Sequence, residues 1–319
     1  MFAIPGLTDI PGIKVGVATN LEAATGVTVV LAEAGARAAV DVRGSAPGTR
    51  ETDLLRPGQL VEQVQAIVLA GGSAFGLEAA GGVMRYLEEK KRGFAIGPYY
   101  VPIVPAAILF DLTVGDGAVR PDADMGFRAC LEATDGPVPA GSVGAGSGAT
   151  VGKIYGPDGA VKSGQGSAAC RIGDLIIAAL VVVNAFGDVY DRRGNLLAGP
   201  RNPATGKMER TVELLMGGEK SGAPGNTTLG IVATNANLPK EALQKVAQMA
   251  HDGLARTINP VHTMWDGDTI FSLSVGGQEA DVNLVGIAAA EAVAAAVERA
   301  VLTATTLASV PSVADIKNM

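Results

Sequence analysis

Asn226 and Thr227 form the pair of residues in this sequence whose types and setting suggest the most distinctive chemistry. They end a glycine-rich loop over residues 217–225, and the run Thr228–Asn235, which predicts a buried strand, follows at once. If the bond before Thr227 is cut, its hydroxyl becomes a nucleophile and its free α-amine an adjacent base. Such an amine has a pKa near about 8, so it is partly neutral at physiological pH and can accept the hydroxyl proton. Taken alone, the pair also fits a β-turn, because Gly-Asn before β-branched residues is ordinary turn chemistry.

Two acidic residues, Asp266 and Asp268, flank one glycine further along the chain and precede the strand-like run Thr269–Val275. The remaining acids of a calcium-binding loop are missing from this stretch. Two carboxylates this close together can instead orient a hydroxyl and stabilise an ammonium group.

A glycine-dense segment over residues 144–152 ends at Lys153, and the apolar run Leu175–Val183 leads to Asn184. Ile154 stands where a phosphate-binding loop needs Ser or Thr, which argues against that loop. Glycines here favour a close approach of backbone N–H groups to a substrate oxyanion. A side-chain amide at the end of an apolar strand must find partners or face a cavity, whereas spacing alone leaves Lys153 open to being a solvated loop lysine.

The sequence has only two histidines, His251 and His262, and two cysteines. These numbers predict neither a dedicated zinc site nor a disulfide framework, and we expect no metal and no organic cofactor. We expect His262 to be a loop histidine satisfied by its neighbours. His251 lies at the edge of the apolar face of a predicted helix, where partial exposure is expected.

Together these pieces resemble one family, the self-processing N-terminal-nucleophile amidohydrolases. That family includes β-aminopeptidases, a D-/L-aminopeptidase and the 6-aminohexanoate-oligomer (nylon-oligomer) hydrolases. The resemblance runs from about Pro11 to about Ala295, and five segments carry it: residues 39–44, 69–79, 163–166, 225–228 and 266–269. The nylon-oligomer branch looks nearest, since it has a threonine nucleophile and the Asp-Gly-Asp pair.

The resemblance implies that Thr227 is the catalytic nucleophile. It is released by self-cleavage after Asn226, which gives chains of residues 1–226 and 227–319. The implied fold is an α/β four-layer αββα sandwich with the nucleophile on a central strand. The resemblance also implies tetramers built from paired dimers.

The same resemblance assigns roles to four further residues. Lys153 and Asn184 would stabilise the oxyanion and shape the site, and Asp266 and Asp268 would orient the nucleophile and the new amine. Relatives have an aromatic residue near the pocket where this chain has Phe110, whose ring lacks any hydroxyl.

The single tryptophan, Trp265, directly precedes the acidic pair. It is expected to wall the substrate pocket or to seal a subunit contact, and the sequence does not choose between the two.

The elements that must position these residues alternate between α and β. The hydrophobic pattern predicts strands over Lys14–Ala18, Gly26–Leu31, Ala36–Val42, Ala66–Leu69 and Ile172–Asn184. It predicts helices over Ala74–Lys91, Pro121–Cys130 with Pro121 in the first turn, Lys240–Thr257 and Val285–Thr303. A turn at Asp191–Asn195 indicates a hairpin. No internal repeat or low-complexity linker is visible, which favours a single domain over residues 1–319.

Composition restricts the class of protein. Hydrophobic residues make up 48% of the chain and charged residues 18%, which predicts a large core and apolar surface buried between subunits of a homo-oligomer. No apolar stretch reaches the roughly 18 to 20 residues of a membrane span. The net charge of -7 offers no basic surface for nucleic acid. The first residues lack the features of a secretion signal, which favours the cytoplasm.

Three classes of function remain open. The first is an endo-acting hydrolase of linear ω-amino-acid oligomers or similar amides. The second is an aminopeptidase that releases N-terminal residues, including D- or β-amino acids, from short peptides. The third is a non-enzymatic or N-acetyl-transferring relative with the same fold. Cleavage inside an acetyl-blocked oligomer separates the first from the second, and dependence on an amine acceptor indicates the third.

Overall fold

The computed structural model describes residues 6–220 and 225–316. Within them the helices are α1 Ala79–Glu89, α2 Ala123–Leu131, α3 Thr211–Met216, α4 Lys240–Thr257, α5 Val282–Leu302 and α6 Val313–Ile316. The strands are β1 Lys14–Asn20, β2 Thr25–Val42, β3 Gly48–Arg50, β4 Gln63–Ala70, β5 Phe94–Ile96, β6 Tyr99–Val101, β7 Ala106–Ile108, β8 Thr150–Val151, β9 Val161–Lys162, β10 Gln165–Ile172, β11 Leu175–Asn184, β12 Asp188–Tyr190, β13 Leu196–Ala198, β14 Thr227–Ala236, β15 Ile258–Asn259 and β16 Thr269–Gln278. Part of the predicted loop before Asn226, residues 221–224, lies outside the described residues.

The main sheet runs in the order β10-β11-β14-β16-β2-β4-β7-β3, with β1 paired to β2. Strand β2 joins its two halves. The N-terminal part of β2 pairs with β1 and β4, and its C-terminal part, from Arg37 to Val42, pairs with β16. The ladder between β2 and β4 is interrupted between Leu31 and Ala36, so one long strand serves both halves.

Three apolar cores separate four layers. One core lies between helices α4 and α5 and the β10-β11-β14-β16 half of the sheet. A second lies between the two halves, and a third lies between the β1-β2-β4-β7 half and helices α1 and α2. Strand β11 shows why its sequence has no alternation: Ile177 enters the first core and Ile176 the second, so both faces are buried. The predicted αββα sandwich is confirmed.

The long amphipathic pattern gave the most accurate helix, since α4 spans Lys240–Thr257 as predicted. The hairpin predicted around Asp191–Asn195 is also confirmed, as β12 pairs with β13. The strand predicted over Ile172–Asn184 is β11, which starts later, at Leu175, because Ile172 ends β10 and a tight turn separates the two strands.

Other boundaries differ for local reasons. The runs Gly26–Leu31 and Ala36–Val42 belong to the single strand β2. Pro121 is not in the first turn of its helix. The cap is Asp122, whose side chain accepts the Met125 N–H at 2.8 Å.

The helix predicted over Ala74–Lys91 is a 3₁₀ segment, Ser73–Glu78, followed by α1. The helix predicted to start at Val285 begins one turn earlier, at Val282, after the cap Asp281. Among the helices of the described residues, none is long and apolar enough to cross a membrane.

Candidate active site

The ends of three neighbouring strands bring four of the predicted residues together. Asn184 ends β11 and is the register partner of Thr227, the first residue of β14. Strand β16 runs parallel to β14 and pairs Thr269 with Leu229, so the acidic pair that precedes β16 reaches the same sheet end. Asn184, Thr227, Asp266 and Asp268 are all at least 96% buried. The pairing of strands, rather than proximity in sequence, assembles this cluster.

The carbonyl group of Asn226 is held by two donors. Its oxygen accepts the Gly267 N–H at 2.8 Å and the hydroxyl of Thr227. On its other side the Asn226 N–H donates to the Trp265 carbonyl oxygen at 3.2 Å. A backbone donor on a carbonyl oxygen draws electron density from its carbon, and the hydroxyl that could attack that carbon is already in contact with the same group.

Gly267 is a position where no side chain fits. A Cβ atom there would lie 2.8 Å from the Thr227 hydroxyl oxygen and 2.7 Å from the Ala46 carbonyl oxygen. The glycine between the two aspartates therefore lets its own N–H approach the Asn226 carbonyl. The sequence showed the glycine, but nothing in its spacing showed this contact.

The side-chain amide of Asn184 is fixed at both ends. Its oxygen accepts the Lys153 ammonium at 2.7 Å and the Thr150 N–H at 3.1 Å. Its nitrogen donates to the Phe110 carbonyl oxygen at 3.0 Å. The expectation that a buried amide must find partners is met, and Lys153 is tied to the site rather than solvated.

Burial has a strong effect on the charge of Lys153. Loss of solvation lowers the pKa of its ammonium to about 7, although Asp266 and Asp111 act to raise it. An amine with this pKa is divided between its charged and neutral forms near neutral pH. In its charged form Lys153 can therefore donate a hydrogen bond to a developing oxyanion, and the fraction in that form changes with pH near neutrality.

The two carboxylates have separate partners. Asp266 accepts the Thr263 N–H at 3.0 Å and its hydroxyl at 2.5 Å. Asp268 accepts the Thr228 N–H at 2.6 Å, beside the predicted nucleophile. Burial, followed by the nearby charge of Asp268, raises the pKa of Asp266.

A fully buried lysine, Lys162, was not predicted from the sequence. Its ammonium donates to the carbonyl oxygens of Gly146, Ala149 and Ser163 at 2.5 to 3.2 Å. Burial lowers the pKa of Lys162 to about 7, and Asp111 opposes this change. The lysine thus holds the glycine-rich segment by its carbonyl groups, and no local pattern in the sequence indicated it.

Three N–H groups of the glycine-rich segment are bound within the protein. The N–H groups of Ser147 and Ala149 donate within the segment, to Gly144 and Gly146. The Thr150 N–H donates to Asn184. The segment thus orients the Asn184 amide, and the approach of its other N–H groups to a substrate oxyanion stays a prediction.

A cavity of about 140 Å³ has Asn226 in its described lining. Its described lining is mostly apolar and includes Phe110, Val114 and Val310, with Lys153 as its charged group. Trp265 is not among the described lining residues. Its ring packs on the buried Phe186 instead, with 5.1 Å between ring centroids. Of the two predicted substrate contacts, the structure therefore places the Phe110 ring on this cavity.

Neither of the two histidines is exposed, and one of them, His262, contacts the acidic pair. His251 is completely buried, so its expected partial exposure is wrong. Its Nε2 faces the Asp41 carbonyl oxygen, 3.1 Å away, on a strand 210 residues earlier. His262 is satisfied at Nδ1, as expected, and its partner is Asp268. Within residues 6–220 and 225–316, no group of three or more His, Cys, Asp or Glu side chains is placed to hold a metal ion.

The geometry can be compared with known proteins. A family model described as Peptidase family S58 matches residues 6–313. The chain belongs to peptidase family S58.

Relatives of this S58 chain carry two kinds of name. It is 43% identical to an uncharacterized aminopeptidase of Mycobacterium leprae, over 96% of this chain and 92% of the relative. It is 38% identical to a 6-aminohexanoate-oligomer endohydrolase of Paenarthrobacter ureafaciens, over 83% of this chain and 74% of that enzyme.

A solved structure supports the same fold. The L-aminopeptidase D-Ala-esterase/amidase of Ochrobactrum anthropi, described as a variant of the N-terminal-nucleophile hydrolase fold, superposes with a TM-score of 0.71. It is 18% identical, and the match covers 94% of this chain and 86% of that one. The predicted family is confirmed, and this S58 member is a hydrolase that acts on amide bonds.

Proposed function

We propose that the chain cuts itself between Asn226 and Thr227 and that Thr227 is then the N-terminal nucleophile of an amide hydrolase. The contact that carries this proposal is the 2.8 Å hydrogen bond from the Gly267 N–H to the Asn226 carbonyl oxygen. It supports the proposal because it polarises the one carbonyl that the Thr227 hydroxyl touches.

In the proposed cleavage, the Thr227 hydroxyl oxygen attacks the Asn226 carbonyl carbon. The electron pair of the carbonyl moves to its oxygen, where the Gly267 N–H stabilises the negative charge. The C–N bond then breaks, the nitrogen takes up the proton that the hydroxyl has lost and becomes the α-amine of Thr227, and an ester remains. Water opens the ester to give the Asn226 carboxylate and the free hydroxyl.

The mature enzyme repeats this chemistry on a substrate. The Thr227 α-amine accepts the hydroxyl proton as the oxygen attacks the amide carbon, and the leaving amine takes the proton. Asn184 gives one amide N–H to Phe110, which leaves the second for the substrate oxyanion. Lys153, held on the oxygen of that amide, adds a cation to the same pocket. Water then releases the acid product.

The acidic pair acts on the nucleophile in this proposal. Asp268 receives the Thr228 N–H and so fixes the first residues of β14. Asp266 lies close enough to Lys153 to affect the pKa of its ammonium. Together the two carboxylates orient Thr227 and offset the charge of its amine.

For the substrate we propose an unbranched, neutral amide such as a 6-aminohexanoate oligomer, cut at internal bonds. The cavity beside Asn226 supports this choice, because its described lining is apolar and its charged group is a cation. An aminopeptidase needs an anion to hold the free amine of its substrate, and the described lining of this cavity has none. The 38% identity to the endohydrolase agrees with this substrate class.

The alternative is an aminopeptidase. The 43% identity to the mycobacterial protein with that name favours it. It would release N-terminal residues and would leave acetylated chains intact.

The first experiment is intact mass spectrometry of the purified protein. We expect two chains of roughly 23 and 9 kDa, in proportion to 226 and 93 of the 319 residues in 32.1 kDa. Thr227→Ala should remain one chain, and Thr227→Ser, which keeps a hydroxyl, should still be cut. Efficient cutting of the alanine variant would contradict the proposal.

The second experiment compares substrates on the mature enzyme. The set contains 6-aminohexanoate oligomers, an N-acetylated oligomer, β-alanyl dipeptides and ordinary dipeptides. Internal cuts that survive N-acetylation support the endohydrolase. Release of single N-terminal residues alone, with acetylated chains untouched, establishes the aminopeptidase instead.

A further inference from the structure

Asp268 is held from two directions. Its Oδ1 accepts the Thr228 N–H at 2.6 Å. Its Oδ2 accepts two donors from one residue, the backbone N–H of His262 at 3.1 Å and the ring Nδ1 of His262 at 2.8 Å. The carboxylate is 1% exposed, so protein groups rather than water fix its orientation. Since a carboxylate accepts hydrogen bonds, the proton of the His262 ring lies on Nδ1.

The backbone of His262 adopts a conformation that is uncommon for residues other than glycine. Its φ angle is +56°, in the left-handed region that residues other than glycine seldom occupy. That conformation is the one in which both the N–H and the ring of His262 reach the same oxygen of Asp268. Strain of this kind persists where surrounding contacts determine it.

The ring of His262 is in contact with the ring of a second histidine, His251. The His251 ring, on α4, lies edge-on to the His262 ring with 4.8 Å between centroids. Burial lowers the pKa of His251 to about 4, so its ring is neutral at physiological pH. The neutral ring thus packs on His262 through a ring contact. His262 Nε2 is buried and has no hydrogen-bond partner in the described structure, so its one polar attachment is Asp268.

We propose that His262 is a positioning residue for amide hydrolysis. Its imidazole fixes Asp268, and Asp268 in turn fixes the Thr228 N–H next to the nucleophile. This inference rests on the proposed function of Thr227. The ring does not belong to the described lining of the substrate cavity. Its loss should therefore lower kcat for hydrolysis and the rate of self-cleavage, and should leave KM nearly unchanged.

Two pairs of variants test the proposal. Glycine adopts a positive φ without steric strain and keeps the backbone N–H, so His262→Gly removes only the imidazole. Its matched control is Lys91→Gly, at an exposed residue with φ of +55° after α1. His262→Asn and His262→Asp have the same shape and both tolerate positive φ, but only asparagine can donate to Asp268.

Self-cleavage rates, kcat, KM and thermal unfolding are measured for all four variants and the parent. We expect His262→Gly and His262→Asp to lose roughly tenfold to a hundredfold in kcat and cleavage rate. KM should stay within about twofold, and His262→Asn and Lys91→Gly should stay close to the parent. If His262→Gly does not fold, the proposal is tested by comparing the rates of His262→Asn and His262→Asp.

Three outcomes overturn the inference: parental kcat in His262→Gly, equal rates in His262→Asn and His262→Asp, or a loss confined to KM. A parent protein that neither cuts itself nor hydrolyses amides overturns the proposed function instead. The two failures are therefore distinguishable.

Discussion

Asn184 and Thr227 are register partners at one end of the sheet, on antiparallel strands that are buried on both faces. Their side chains therefore point to the same side, toward the space between the two halves of the sheet. The Asn184 amide is bound to Lys153 on that side, and Thr227 meets the Asn226 carbonyl there. The pairing of two apolar strands thus places an amide and a hydroxyl at the same end and on the same face of the sheet.

The first prediction concerns Gly267. Gly267→Ala places a Cβ 2.8 Å from the Thr227 hydroxyl oxygen, so the hydroxyl or the Gly267 N–H must move. We expect self-cleavage to slow by about 10²-fold or more, the effect of losing one oxyanion donor. The rate is followed by denaturing gels after the uncut chain is refolded.

The matched control for this variant is Gly277→Ala, an exposed glycine whose added Cβ meets no atom within 4 Å. It should be cut at the parental rate. Equal rates in the two alanine variants would exclude the Gly267 N–H from the reaction.

The second prediction concerns the acidic pair. Asp266→Asn and Asp268→Asn keep the shape of each side chain and remove its charge. Each should slow self-cleavage or turnover by roughly tenfold or more while circular dichroism stays parental, because a positioned carboxylate orients the nucleophile. Glu279→Gln, at an exposed acid after β16, is the control. Full activity in both asparagine variants would show that the Asp-Gly-Asp stretch is only a structural turn.

The third prediction is a pH dependence of stability. The pKa of Lys162 is about 7 in the folded chain, against the ordinary lysine value of 10.5. Between these values the unfolded chain binds more protons, so the free energy of unfolding rises as pH increases from about 7 to about 10. Below pH 7 both states are protonated and the full cost of burying the charge applies. The difference is at most about 5 kcal/mol for one lysine.

This dependence is measured by urea unfolding of the uncut Thr227→Ala chain, with and without Lys162→Met. The methionine variant should show a flatter rise, and Lys153, with the same lowered pKa, should supply the remainder. Parallel pH profiles for the two proteins would mean that Lys162 is not titrating in this range.

The fourth prediction is oligomerisation. The hairpin of β5 and β6 exposes large apolar side chains, including Ile96 at 56% and Tyr99 at 71%. A patch of this kind is suited to burial between subunits. We expect sedimentation to give a tetramer of roughly 128 kDa, four chains of 32.1 kDa. Tyr99→Lys should weaken it more than Leu60→Lys, at another exposed apolar residue. A sole species of about 32 kDa at micromolar concentration would contradict the prediction.

The sequence predicted those elements that a local hydrophobic pattern determines. The run that ends at Asn184 is too apolar to lie anywhere but in the core, and α4 has one clear apolar face. The sequence did not predict contacts between segments that are far apart along the chain. The burial of His251 depends on Asp41, 210 residues away, and Lys162 is buried because three carbonyl groups from its own region converge on it.

The residues of the acidic pair were found through family resemblance, but their geometry was not. The hydrogen bond between Gly267 and Asn226 arises only when the strand after Asn226 pairs in parallel with the strand after Gly267. Spacing in the sequence carries no information about such a register. The single domain over residues 1–319 stays a prediction.

The order of strands in the main sheet has a consequence for the protein if it is cut after Asn226 as proposed. Strands β14 and β16 follow the proposed cut, and they lie between β11 and β2, which precede it. The shorter fragment would therefore be paired on both sides with strands of the longer one. Separating the two fragments requires opening two backbone ladders and exposing two apolar cores at once. The two fragments should thus stay associated through the pairing of their strands, and dilution alone should not separate them.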